Sequence, residues 1–154
     1  GKERRRLTMK EQKEVVSTVN DLIEVCNERI QGYRTASKDV KDRELSSLFE
    51  QYARQTEDFI KELVPYSDET NPEEIGTRFV GNTFKMWMDL KAAITNGGKE
   101  AMLGACVTGE DAAIRSYENN LEENLPNEVR NIIVKQLGEI KSAFANIKAK
   151  KDAL

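Results

Sequence analysis

Apolar residues recur every three or four positions along almost the whole of this 154-residue chain, and nowhere do they alternate strictly in twos. That spacing marks one side of an α-helix at each turn and leaves no pattern for a half-buried strand. The chain is therefore read as all-α. Local signals divide it. Thr8 followed by Glu11 spells a capping box and opens a first helix from Met9 to about Val40. Its inward stripe is Val15, Val19, Leu22, Ile23, Cys26, Ile30, Tyr33 and Ser37. Asp42 is placed as the cap of a second helix that Pro65 stops. A polar stretch with two prolines, residues 65–76, reads as a loop. A shorter helix is expected from Thr77 to about Thr95, ended by Asn96-Gly97-Gly98. Two more follow, from Lys99 to about Asn124 and to about Lys150, with Pro126 in the first turn of the last.

Four long helices and one shorter one fit a bundle of two hairpins joined by a crossover. At 1.5 Å per residue the Thr77–Thr95 helix spans roughly 27 Å, enough to carry the chain from one end of a bundle towards the other. One long crossover is the ferritin-like connectivity. Residues 9–150 are assigned to this single domain. Residues 1–8 are expected to be a flexible basic N-terminus, in part a remnant of cloning, and 151–154 a tail. The crossover helix carries Phe84, Trp87 and Met88 on more than one side. That surplus fits either deep burial or a subunit interface, through which the chain would pair with another copy or another protein.

Charge excludes some partners. Lys and Arg total 24 against 27 Asp and Glu, a net charge of −3, which gives no general reason to bind nucleic acid. No apolar run approaches the length of a membrane span, and no secretory signal follows the basic start. Cys26 and Cys106 are too far apart in sequence for a zinc knuckle or a CxxC pair, so they read as reduced thiols of a cytoplasmic protein.

Some segments are recognisable. Asn20-Asp21-Leu22-Ile23-Glu24 and Gly32-Tyr33-Arg34-Thr35-Ala36 resemble a bacterial ferritin-like family grouped as domain of unknown function 2383. So do Trp87-Met88-Asp89-Leu90-Lys91 and Gly109-Glu110-Asp111-Ala112-Ala113, the more specific parts. The resemblance runs from about Val15 to Lys148. It implies a ferritin-like bundle and no assigned activity.

A ferritin-like dinuclear centre takes an inward Glu from each of two helices and Glu-x-x-His from each of the others. This chain has no histidine. On a helical wheel Glu24, Glu28, Glu44, Glu50, Glu57 and Glu62 point away from the apolar stripes. Glu139 sits at the margin, and Glu110 alone is central. Those two are the only weak metal candidates, so no cofactor is expected. A buried acid must be paired, hydrogen-bonded or neutral. Gln136, Tyr52 and Thr56 are the candidate partners of Glu110, with Cys26 and Cys106 about a turn away. Glu110 is expected to sit in a polar network that fixes helix register, and whether it is charged or protonated there is left open by the sequence. The function expected is a structural or interaction role without catalysis. The rivals are a metal-binding ferritin-like oxidoreductase or storage protein, and a small-molecule binding bundle with a pocket at Glu110.

Overall fold

The computed structural model describes residues 7–68, 87 and 89–154. Among them there are helices and turns and no strand. In chain order the helices are α1, Met9–Asp39; α2, Arg43–Leu63; α3, Asp89–Asn96; α4, Lys99–Asn120; and α5, Asn127–Asp152. A 3-10 turn, Val64–Tyr66, extends α2 and contains Pro65.

The helix starts follow their caps. Thr8 Oγ1 accepts the Glu11 amide and Glu11 accepts the Thr8 amide, each at 3.1 Å. Asp42 accepts the Leu45 amide at 3.0 Å. Three boundaries differ from the sequence expectation. α4 stops at Asn120, short of Asn124, because Arg130 holds the Leu121 and Glu123 carbonyls at 2.9 and 2.8 Å and turns the chain. Pro126 is the N-cap of α5 and lies just outside its first turn; its extended backbone directs its carbonyl to the Arg130 amide. α5 runs on to Asp152. Most of the expected Thr77–Thr95 helix, including Phe84 and Met88, lies outside the described residues. Its last part is α3, which ends at Asn96 with the Gly97 amide on the Ala93 carbonyl.

Side-chain pairs set the helix directions. Ser37 bonds Ser46 while Arg29 bonds Thr56, so α1 and α2 are antiparallel. Tyr117 meets Gln136 and Arg130 reaches Leu121, so α4 and α5 are too. Across the two pairs, Cys26 meets Tyr117 and Tyr33 meets Glu110, placing α1 antiparallel to α4. Gln136 meets Phe59 and Asn146 meets Tyr52, placing α2 antiparallel to α5. Hence α2 and α4 run the same way. Lys99, at the start of α4, pairs at 2.8 Å with Asp42, at the start of α2. The end of α2 and the start of α4 therefore lie at opposite ends of the helices.

The apolar core has two parts. One is built around Leu22, Ile23, Phe59, Tyr117 and Ile133. The other is built around Tyr33, Phe49, Trp87, Leu103 and Ile147. Between them lies a polar layer of Arg29, Thr56 and Glu110, all fully buried. α1 runs through the middle. Residues Val25 to Ile30 are buried without a break, because α1 is packed by α2, α4, α3 and the 3-10 turn together. Over those six residues α1 has no solvent face, although Asp21 and Arg34 on either side of them are exposed. That corrects the expectation for Glu28, which is buried although it lies opposite the apolar stripe.

Candidate functional site

The centre of the polar layer is an ion pair. Arg29 projects from α1 one turn below Tyr33, and Glu110 projects from α4. Arg29 Nε donates to Glu110 Oε1 at 2.7 Å and Nη2 donates to Oε2 at 2.9 Å, a two-pronged guanidinium–carboxylate contact. Neither side chain has any exposed surface. Tyr33 Oη donates to Glu110 Oε2 at 2.7 Å. Arg29 Nη1 donates to Thr56 Oγ1 at 2.7 Å and to Gln55 Oε1 at 3.0 Å. The rings of Tyr33, Tyr52 and Phe59 surround the guanidinium carbon at 5.3, 5.7 and 5.8 Å. Aromatic faces favour a cation, and a stripped guanidinium is easier to bury than an ammonium.

Both oxygens of Glu110 accept from donors, two of them on a permanent cation. That set fits a carboxylate rather than a neutral acid, the two forms the sequence leaves open. A neutral acid would place its own proton against one of these three donors. Burial pulls the Arg29 pKa down, but the adjoining Glu110 carboxylate more than offsets it, and the guanidinium ends above its ordinary value. Burial, reinforced by the Glu110 charge, raises Tyr33 well above the usual phenol range, so it remains a donor.

A second chain of bonds lies alongside. Tyr117 Oη donates to Gln136 Oε1 at 2.7 Å. The phenol has one proton, so at its 3.3 Å contact with Cys26 Sγ the thiol must be the donor. Gln136 Nε2 then donates to the Phe59 carbonyl at 3.2 Å and to Glu62 at 3.1 Å. Gln136 thus serves Tyr117 and α2, and Glu110 is not its partner. Glu62, expected to point away, turns to α5 because Gln136 offers it a donor. Tyr52 Oη accepts from Asn146 at 2.8 Å and likewise makes no bond to Glu110; of the candidates, Thr56 alone joins the pair, through Arg29. Both cysteines are reduced and buried. Burial pushes the Cys26 thiol up to about 11, and burial together with the Glu110 charge raises Cys106 further. Such thiols are poor nucleophiles.

Trp87 is fully buried, so it is not part of an exposed face. It enters a slot made by Gly32 on α1 and Gly109 on α4. A Cβ on Gly32 would meet two indole carbons at 2.5 Å, and one on Gly109 would meet the same ring. Glycine inside a helix costs roughly 0.5–1 kcal/mol relative to alanine, so two helices are weakened to admit one ring. The indole packs edge-on against Tyr33, 5.0 Å between centroids, and its N–H has no hydrogen-bond partner.

This donor set does not fit a dinuclear metal centre. Glu110 is committed to Arg29 and Tyr33. Glu139 lies half-buried in a groove between α2 and α5 with Tyr52, Lys135 and Asn146. Among the described residues no three His, Cys, Asp or Glu side chains come together. Arg29 is the residue that sequence reasoning missed. It occupies a stripe position, three after Cys26 and four before Tyr33, and so was legible as an inward cation one turn from an inward acid's partner.

A family model described as a domain of unknown function (DUF2383) matches residues 14–123. That stretch contains both members of the ion pair, Trp87 and both glycines of its slot, and it stops before α5. A search of curated proteins gives no match.

Proposed function

The chain belongs to the DUF2383 family, and from that premise we propose a bacterial, cytoplasmic, ferritin-like bundle that acts by contact with other proteins or with copies of itself, not by catalysis. The observation that carries this reading is the two-pronged Arg29–Glu110 contact, which gives the central acid a cation belonging to the chain. In a ferritin-type centre that carboxylate would instead face metal ions, with imidazoles completing the shell. The single long connection between parallel α2 and α4 supports the ferritin-like part. The low reactivity of the buried thiols and phenols supports the non-catalytic part. A pocket at Glu110 draws no support, since its side chain is enclosed and both oxygens are used. The partner-facing part of the crossover is then the outer side of α3, where Asp89, Lys91, Ala92 and Thr95 are exposed.

Elemental analysis of protein purified without chelator separates this from the metal-binding rival. Iron, manganese and zinc far below one atom per chain are expected. Two atoms per chain would overturn the reading.

A further inference from the structure

Among the described residues α5 is covered on one side only. Val129, Ile133, Ile140 and Ile147 are buried, and the opposite side is exposed. The middle of that exposed side is short and uncharged: Asn131, Gly138, Ser142 and Ala145. A Cβ on Gly138 would meet nothing within 4 Å. Val134 stands at the edge of this face, 51% exposed. Of the exposed large apolar side chains among the described residues it alone lies inside a helix, since Met9 begins α1 and Leu154 follows α5. Charge is placed around the same point. Lys135 and Glu139 flank Gly138 on the side towards α2, where both line the groove with Tyr52 and Asn146. Neither forms an ion pair with another described residue. Lys141, on the other flank, is held by Glu118 at 3.4 Å.

We propose that this face is where a second copy of the chain docks, α5 against α5, antiparallel about a twofold axis at Gly138. A twofold contact uses the same patch on both subunits, so the patch must complement itself. This one does. The axis brings residues equally far before and after Gly138 to the same level and keeps like flanks together. At 1.5 Å per residue, Lys135 of one copy then lies within roughly 3 Å, along the helix, of the level of Glu139 of the other. The operation is reciprocal, so two opposite-charge pairs form. On the other flank Val134 of one copy comes level with Lys141 of the other, whose methylene stem can lie against it. With no side chain at the axis the two backbones can approach closely. The basic end of α5, Lys148 and Lys150, is turned towards the acidic turn before it, Glu122 and Glu123. The inference rests on the contact role proposed above and gives it one partner, a copy of the same chain.

Sedimentation equilibrium of the full chain over a range of micromolar concentrations is expected to show monomer and dimer, with the dimer weakened by added salt. Lys135→Glu or Glu139→Lys alone sets like charges against each other twice across the axis. Each should raise the dissociation constant about tenfold or more, with the circular-dichroism helix signal unchanged. An equimolar mixture of the two variants should recover a dimer, because the heterodimer restores both opposite-charge pairs. A wild-type chain that stays monomeric overturns the proposal and leaves contact with other proteins as the role. A dimer indifferent to the single reversals, or a mixture that does not recover, overturns the α5 contact while self-association itself stands.

Discussion

Replacing Glu110 by Gln keeps the side-chain shape and removes the charge. The consequence follows from the fully buried Arg29. Its guanidinium would lose the carboxylate that offsets its desolvation, and the amide would turn an N–H towards one of its former donors. Breaking a buried pair from one side typically costs about 3–5 kcal/mol, against a total stability of about 5–15 kcal/mol for a domain. With a urea m-value of about 2 kcal/mol per molar, the midpoint should fall by about 2 M. Arg29→Met should cost a similar amount, because it strands the carboxylate. The double variant Arg29→Met with Glu110→Leu should recover most of the loss, since apolar replacements of a buried pair are near neutral or stabilising. The Tyr33 hydroxyl would then lack its acceptor, a penalty of about 1–3 kcal/mol, which Tyr33→Phe in the triple variant should relieve. Urea unfolding followed by circular dichroism measures all four. A Glu110→Gln midpoint within about 0.3 M of wild type would refute the charged pair and favour the neutral acid.

Alkaline pH should destabilise the chain in a defined window. The folded state holds the Cys26 proton up to about 11 while the unfolded chain releases it near 9.0, so stability present below 9.0 is lost as pH rises towards 11. One such group contributes a slope of about 1.4 kcal/mol per pH unit, with Cys106, Tyr33 and Tyr117 adding to it. Urea midpoints across that window should decline, less steeply in Cys26→Ala; a flat profile would contradict the burial. Thr8→Ala removes half of the capping box and should cost about 1 kcal/mol, read as a lower thermal midpoint, whereas no change would mean that α1 frays at its start. A thiol reagent added to native protein at neutral pH should leave both cysteines unmodified until urea unfolds the chain. Rapid modification would show a thiol that the core does not cover.

The sequence made the helix starts legible because each has its own local chemistry: Thr8 with Glu11, Asp42 before α2, and Gly97-Gly98 between α3 and α4. The inward position of Glu110 and its level opposite Thr56 followed from periodicity and rise per residue. What periodicity hid was the partner. An arginine in a helical stripe is ordinarily assigned to solvent, so Arg29 was passed over even though Cys26, Arg29 and Tyr33 share one side. Without it, the sequence leaves the protonation state of Glu110 open, and the pairing with Arg29 is what favours the charged form. Glu28 is a different case. A wheel assumes one covered side, and α1 is covered on several, which no single-helix pattern encodes. The slot for Trp87 depended on Gly32 and Gly109, two glycines inside helices and 77 positions apart (109 − 32), whose shared purpose appears only once α1 and α4 lie together.

Whether a protein-borne cation closes the centre is most directly tested by carbon-13 NMR of the Glu110 side-chain carboxyl at neutral pH, assigned through Glu110→Gln, with and without added zinc. The resonance should lie at the carboxylate position and stay there when zinc is added, because Arg29 and Tyr33 already hold both oxygens. A neutral-acid resonance, or a shift that saturates with zinc, would contradict the account.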